Sequence, residues 1–239
     1  MFEVVNPSTG KISINDTYQN FHLRRSGKLN ASDFIYGPAG SNFTQRCWAE
    51  ISTAGCKSPM LVLRGPLDTI VTPHHSLYQN KFYLHTWWNY TKAGGVEWYL
   101  FDDWTPPNRA DFGLELRDAA NNVKYNSGWH RLKVLQMLNV PTFGPGISAY
   151  RDVPATDYGR RMGVCMLNPR VSSVQTSGEL MSVIQEAICF LNDSTLRVGQ
   201  TVAIDGDGWW NLATGFWNTT PLFLLTVDIE NLPLGINYG

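Results

Sequence analysis

Apolar positions along the chain fall in short runs of strand length punctuated by turn residues, and alternate with polar ones in the hairpin segments, the pattern of a β protein. Met60–Leu63, Phe82–Trp88, Glu97–Phe101, Gly163–Leu167, Thr201–Ile204 and Leu222–Val227 each have strand length and composition. Two further segments read as hairpins. One runs through Asn6–Lys11 and the other through Asp118–Asn122, both rich in turn-forming Asn, Asp, Pro or Gly. Glu179–Phe190 suits a helical and a strand period alike, and its β neighbourhood favours strands. The stretch from Asn139 to Asp157, with its prolines and glycines, reads as a long loop, and His74 and His75, which follow Pro73, read as loop residues.

The pattern repeats. Ile12 registers with Val123, Ile14 with Tyr125, Asn15 with Asn126, Tyr18 with Trp129, Phe21 with Leu132 and Leu23 with Val134, without a gap. A second echo follows in the same order: Trp87-Trp88-Asn89-Tyr90 recurs as Trp209-Trp210-Asn211-Leu212, each ahead of a strand-like run that ends in Asp102 or Asp228. Between the copies, Pro106 and Pro107 forbid a central strand and mark a linker. The expected fold is therefore all-β, with two tandem β-sandwich-like domains that arise from an internal duplication, 1–107 and 108–239, the second with a C-terminal tail. That tail, Asn231–Gly239, is apolar and uncharged and is expected to dock against a neighbouring subunit.

Composition narrows the function. The 239 residues carry 19 basic and 20 acidic side chains, a formal net charge of -1. This argues against a protein that binds nucleic acid or a membrane surface by neutralising phosphates. Charged residues make up 16% of the chain, against about 25% in ordinary soluble domains. Such depletion is expected where surface is committed to partners. No run is long enough for a membrane-spanning helix, and the N-terminal residues lack the pattern of a secretory signal. Cys47 and Cys56 have the spacing to bridge a hairpin, but in a reducing cytosol Cys47, Cys56, Cys165 and Cys189 are expected to be free thiols. The Asn-x-Ser/Thr triplets read as turn chemistry.

Candidate chemistry is sparse. His74 and His75 are adjacent, so on a strand they would face opposite ways and could not share a metal ion, and His22 and His130 fall at non-equivalent places in the repeat. Asp205-Gly206-Asp207-Gly208 lacks the closing carboxylate of a calcium loop and reads as a tight turn. Asp102 with Asp103, and Asp228 with Glu230, are paired carboxylates of the kind glycosidases use. Their equivalence at strand ends favours hydrogen-bonded termini instead. No nucleophile elbow, phosphate loop or dinucleotide fingerprint occurs. The expectation is a non-enzyme with no cofactor and no metal. The aromatic residues stand out instead. In each Trp pair one ring is expected to face outward, which makes Trp87, Trp88, Trp209, Trp210 and Trp217 candidate contacts to a partner or a glycan.

The second hairpin, Phe112-Gly113-Leu114-Glu115-Leu116-Arg117-Asp118 followed by Val123-Lys124-Tyr125-Asn126-Ser127-Gly128-Trp129-His130-Arg131-Leu132, resembles a segment of the small tail proteins of tailed bacteriophages. The likeness covers about 25 residues and, more faintly, the first copy; Asn126 stands where that pattern more often has Asp. The resemblance implies a place rather than a chemistry: a virion component of the tail tip or baseplate, assembled in the host cytoplasm, touching other tail proteins and supporting fibres or host attachment. It carries no catalytic residues. A duplicated chain also suits a symmetric assembly, such as a threefold hub whose two domains fill quasi-equivalent places against a sixfold tube. The alternative is a carbohydrate- or receptor-binding β module that uses the exposed Trp residues.

Overall fold

The computed structural model describes residues 3–5, 12–15, 20–36, 46–66, 72–76, 79–87, 95–109, 113–141, 150–175, 181–204, 213–216 and 221–238. These residues are all β apart from a 3-10 turn at Ala31–Asp33. The central element is a six-stranded antiparallel sheet. Its strands run in the order β12 (Val134–Val140), β19 (Leu222–Asp228), β14 (Met162–Met166), β6 (Met60–Arg64), β9 (Val96–Asp102) and β3 (His22–Leu29). Three strands come from before residue 108 and three from after it. From the centre outward, each set runs middle, last, first in its own chain order.

The sheet has two seams between these sets. At its middle, Val164 of β14 stands opposite Leu63 of β6. At its outer ends, Leu23 N–H donates to the His130 carbonyl at 2.7 Å, Leu132 N–H donates to the Phe21 carbonyl at 2.9 Å, and His22 bridges to Arg131. The residues leading into the two edge strands thus meet, and the sheet closes at that end alone, as a small, partly open barrel. Leu23, Val62, Tyr99, Phe101, Cys165, Val227 and Ile229 form a buried cluster drawn from both sets and fill its interior. The fit is tight: a Cβ on Gly163 would lie 2.6 Å from Val62 Cγ1, so only glycine is accommodated there.

Alternation along the same strands creates two more cores. On β6 and β9 the residues that do not face the barrel (Leu61, Leu63, Val96, Leu100) meet Ala49, Ile51, Phe82 and Leu84 of a four-stranded sheet. That sheet runs β4 (Ile35–Tyr36), β5 (Arg46–Ser52), β8 (Lys81–Trp87), β7 (Thr72–Ser76). On the other side, Val164, Met166, Leu222 and Leu224 meet Ile188, Phe190, Leu196 and Val198. These belong to a five-stranded sheet, β13 (Arg151–Pro154), β17 (Thr195–Ile204), β16 (Met181–Asn192), β15 (Val171–Gln175), β18 (Ala213–Phe216). Each set is therefore one two-layer sandwich, as strands with a period of two require when both faces are buried.

Two hairpins complete the fold: β1 (Glu3–Val5) with β2 (Ile12–Asn15), and β10 (Glu115–Arg117) with β11 (Val123–Asn126). Their registers correspond. Glu3 faces Asn15 as Glu115 faces Asn126, Val4 faces Ile14 as Leu116 faces Tyr125, and both shift register at the next residue. In the second, the Asp118 carboxylate accepts from the Ala120 and Asn122 amides, and Asn121 takes a positive φ of 68°. This is the turn chemistry expected of Asp and Asn.

Three expectations change. His74 and His75 lie on β7, where they pair with Tyr83 and Phe82, rather than in a loop. Pro73 is tolerated there because β7 is an edge strand. The supposed loop from Asn139 holds the end of β12 and all of β13. The Glu179–Phe190 segment keeps its expected strand character, its described residues lying within the twelve-residue β16. The C-terminal tail docks on its own chain rather than on a neighbour: Ser26 N–H donates to the Ile236 carbonyl, Tyr238 N–H donates to the Arg24 carbonyl, and Arg25 bridges antiparallel to Asn237. Residues 236–238 so act as an added strand along the free edge of β3.

Candidate functional site

The Trp residues singled out by sequence are not brought together by any described contact. Trp87 ends β8 opposite Arg46, and Trp88, Trp209, Trp210 and Trp217 lie outside the described residues, as do Asp205 and Asp207. The carboxylate pairs are described; Asp102, Asp228 and Glu230 hold strand ends, whereas Asp103 Oδ1 is buried with no hydrogen-bond partner among the described residues. Asp102 is fully buried; it accepts from Arg24 Nη1 at 2.7 Å and from the Lys57 and Ser58 amides at 3.0 and 2.8 Å. Asp228, at the equivalent end of β19, accepts from Arg160 Nη1 at 2.9 Å and from the Glu230 amide at 3.1 Å, while Glu230 accepts from the Arg161 amide. These carboxylates splice loops to the sheet.

Charge also crosses the central seam. Glu97 of β9 accepts from Arg161 Nη2 at 2.5 Å and from the Tyr99 hydroxyl at 3.0 Å. Burial, followed by that carboxylate, pushes the Tyr99 hydroxyl up to about 12. Arg64 of β6 donates to the Met162 carbonyl, pairs with Asp193 and lies over the Phe190 ring. In the outer sheet, Arg170 and Glu186 form a wholly buried ion pair, with Nε donating at 2.7 Å and the Arg170 amide donating at 2.8 Å to the other carboxylate oxygen.

The most crowded polar position is the outer seam. His22 is buried; Nδ1 donates to the Trp104 carbonyl at 3.0 Å, Trp104 Nε1 donates back to the His22 carbonyl, and the Trp129 ring meets the imidazole edge-on at 4.9 Å. Burial is the main cause that lowers its pKa to about 4, helped by Arg131 and opposed by the Trp104 carbonyl and Asp103. Trp129 Nε1 donates to the Asn108 carbonyl, and Asn126 Oδ1 accepts from the Gly128 amide. The tail reaches the same place through Tyr238, whose ring packs on Trp104 beneath the Arg24 guanidinium. Sequence spacing separates His22 and His130 by more than a hundred residues; only pairing of the strand starts brings them together.

Among the described residues, no three His, Cys, Asp or Glu side chains converge as metal ligands. Cys56 is a free thiol, and burial pushes the Cys165 thiol up to about 12, far from a reactive thiolate. No described helix is long and apolar enough to cross a membrane. What remains on the surface are exposed apolar side chains, with Val134 and Met137 on β12, Tyr158 beside that strand, and Leu114 at the second hairpin. No family model matches the chain, and neither a curated protein nor a solved structure matches it.

Proposed function

We propose that the chain is a structural subunit of a bacteriophage tail tip or baseplate, built by duplication of one β unit and working through contacts with other tail proteins. One observation carries this reading: the motif that resembles tail proteins is used to build the barrel. Its Val123, Tyr125, Asn126 and Trp129 are buried, Trp129 packs on His22, and His130 and Leu132 supply the backbone bonds of the outer seam. The duplication is supported by the shared strand order of the two sets and by the matching register of the two hairpins. Asp102 and Asp228, the most prominent carboxylates, are spent on Arg side chains and amides rather than held free for chemistry.

The geometry refines the symmetry expected of such an assembly. Across the outer seam Leu132 bonds to Phe21, its own counterpart in the repeat, and across the central seam β6 meets β14, the strands that take the same place in their sets. Contact between equivalent positions is twofold and closes on itself. The two units therefore do not follow one another around a ring, and a symmetric assembly must use surfaces outside both seams. Immunogold electron microscopy on particles from producing cells tests the reading. Label at the distal tail is the expected result. Its absence from intact and disrupted particles, with a positive control on a known tail protein, removes it.

A further inference from the structure

The two edge strands of the central sheet are treated differently. β3 carries Arg24, Arg25 and Lys28, and its outer edge is occupied by residues 236–238. Ser26 is buried beneath the tail, with Oγ donating to the Pro233 carbonyl at 2.7 Å and accepting from the Ile236 amide at 3.1 Å. In the repeat register that aligns Leu23 with Val134, the counterpart of Ser26 is Met137. Met137 is 62% exposed and Val134 48%. Among the described residues no strand pairs with the outer edge of β12, where the Leu135 carbonyl accepts the Tyr158 hydroxyl.

Exposed edges are normally guarded by charge, proline, a bulge or a covering segment. The seven residues of β12, Val134-Leu135-Gln136-Met137-Leu138-Asn139-Val140, contain neither a charged side chain nor a proline, and the bulge between Val134 and Gln136 leaves the run from Gln136 to Val140 regular. We propose that this edge is the seat of a second copy of the chain, with β12 pairing antiparallel to β12 across a twofold axis at Met137. Met137 then faces its own counterpart and Gln136 faces Leu138, both within the regular run. No like charges oppose each other, because the strand has none. Self-pairing is favoured over head-to-tail addition because the corresponding edge, on β3, is already sealed by the chain's own tail. The contact is closed, giving dimers rather than filaments. The inference rests on the sheet and not on the tail-protein reading, so either can fail without the other.

Light scattering coupled to size exclusion on the full chain tests this directly. The wild-type protein is expected to run at twice the chain mass, and Met137→Lys, which sets two ammonium groups face to face, at the mass of one chain with an unchanged circular-dichroism spectrum. Asn139→Lys, at another exposed position of β12, repeats the test should the first variant fold poorly. Directly opposed Cβ atoms lie about 4.5–5.5 Å apart in such a pair, so Met137→Cys is expected to cross-link on mild oxidation while Leu114→Cys, exposed on the hairpin, does not. A wild-type protein that stays at single-chain mass across concentration overturns the proposal. So does a dimer that survives both lysine substitutions.

Discussion

His22 shows how one buried side chain couples the outer seam to pH. The Trp104 carbonyl can only accept, which fixes a proton on Nδ1, and burial, with Nε2 lacking a hydrogen-bond partner among the described residues, keeps the ring neutral in the folded chain. With a folded pKa near 4 against an ordinary 6.5, the unfolded chain takes up a proton that the folded one refuses. Stability from this group is complete above about pH 6.5, falls as pH drops towards 4, and is level below that. The total loss is about 3 kcal/mol. Urea unfolding of the wild type between pH 7 and 4 is expected to show this slope. His22→Phe, which fills the same slot beside Trp129 with no titrating nitrogen, should lose that part of it.

At the level of strands, the short apolar runs are legible from residue types alone: Met60–Arg64, Val96–Asp102, Met162–Met166 and Leu222–Asp228 lie where runs of strand length place them. So are the hairpins, because Asp118 and Asn121 carry their own turn geometry. The edge strands are harder to read. β7 contains a proline and adjacent histidines, and β13 ends on Pro154, signals of loops that edge position makes tolerable. The tail is not legible at all, because strand addition is a tertiary event: Leu232-Pro233-Leu234-Gly235-Ile236 has no alternation, and only the β3 backbone makes a strand of residues 236–238. Deleting residues 233–239 is expected to leave the strand content nearly unchanged but to bare the β3 edge. Static light scattering should then show aggregation at concentrations where the full chain is clear, and an equally soluble truncation would mean that the tail does not protect that edge.

For the whole molecule, the decisive feature is the barrel interior, to which residues from before and after residue 108 contribute: Leu23, Val62, Tyr99 and Phe101 from one set, Cys165, Val227 and Ile229 from the other. Separately produced 1–107 and 108–239 are each expected to expose half of that core and to bind a hydrophobic dye, whereas the intact chain unfolds in one calorimetric transition. Two transitions, or two well-folded soluble halves, would show that the sandwiches stand alone. The candidate site is the least legible part. His22, Trp104, Trp129 and Tyr238 meet because two strand starts and a tail converge, and no local spacing encodes that convergence.

The strap across β3 has a consequence for the timing of synthesis. Ser26 waits for Ile236, 210 residues further along. At about 5–20 residues per second, the ribosome takes roughly 10 to 40 seconds to supply it. Until then the β3 edge lacks its strap, and Arg24, Arg25 and Lys28 supply the charge that discourages pairing at such an edge. Lysine and arginine on β3 are therefore expected to matter most while the chain is being made, and the strap once the tail has emerged.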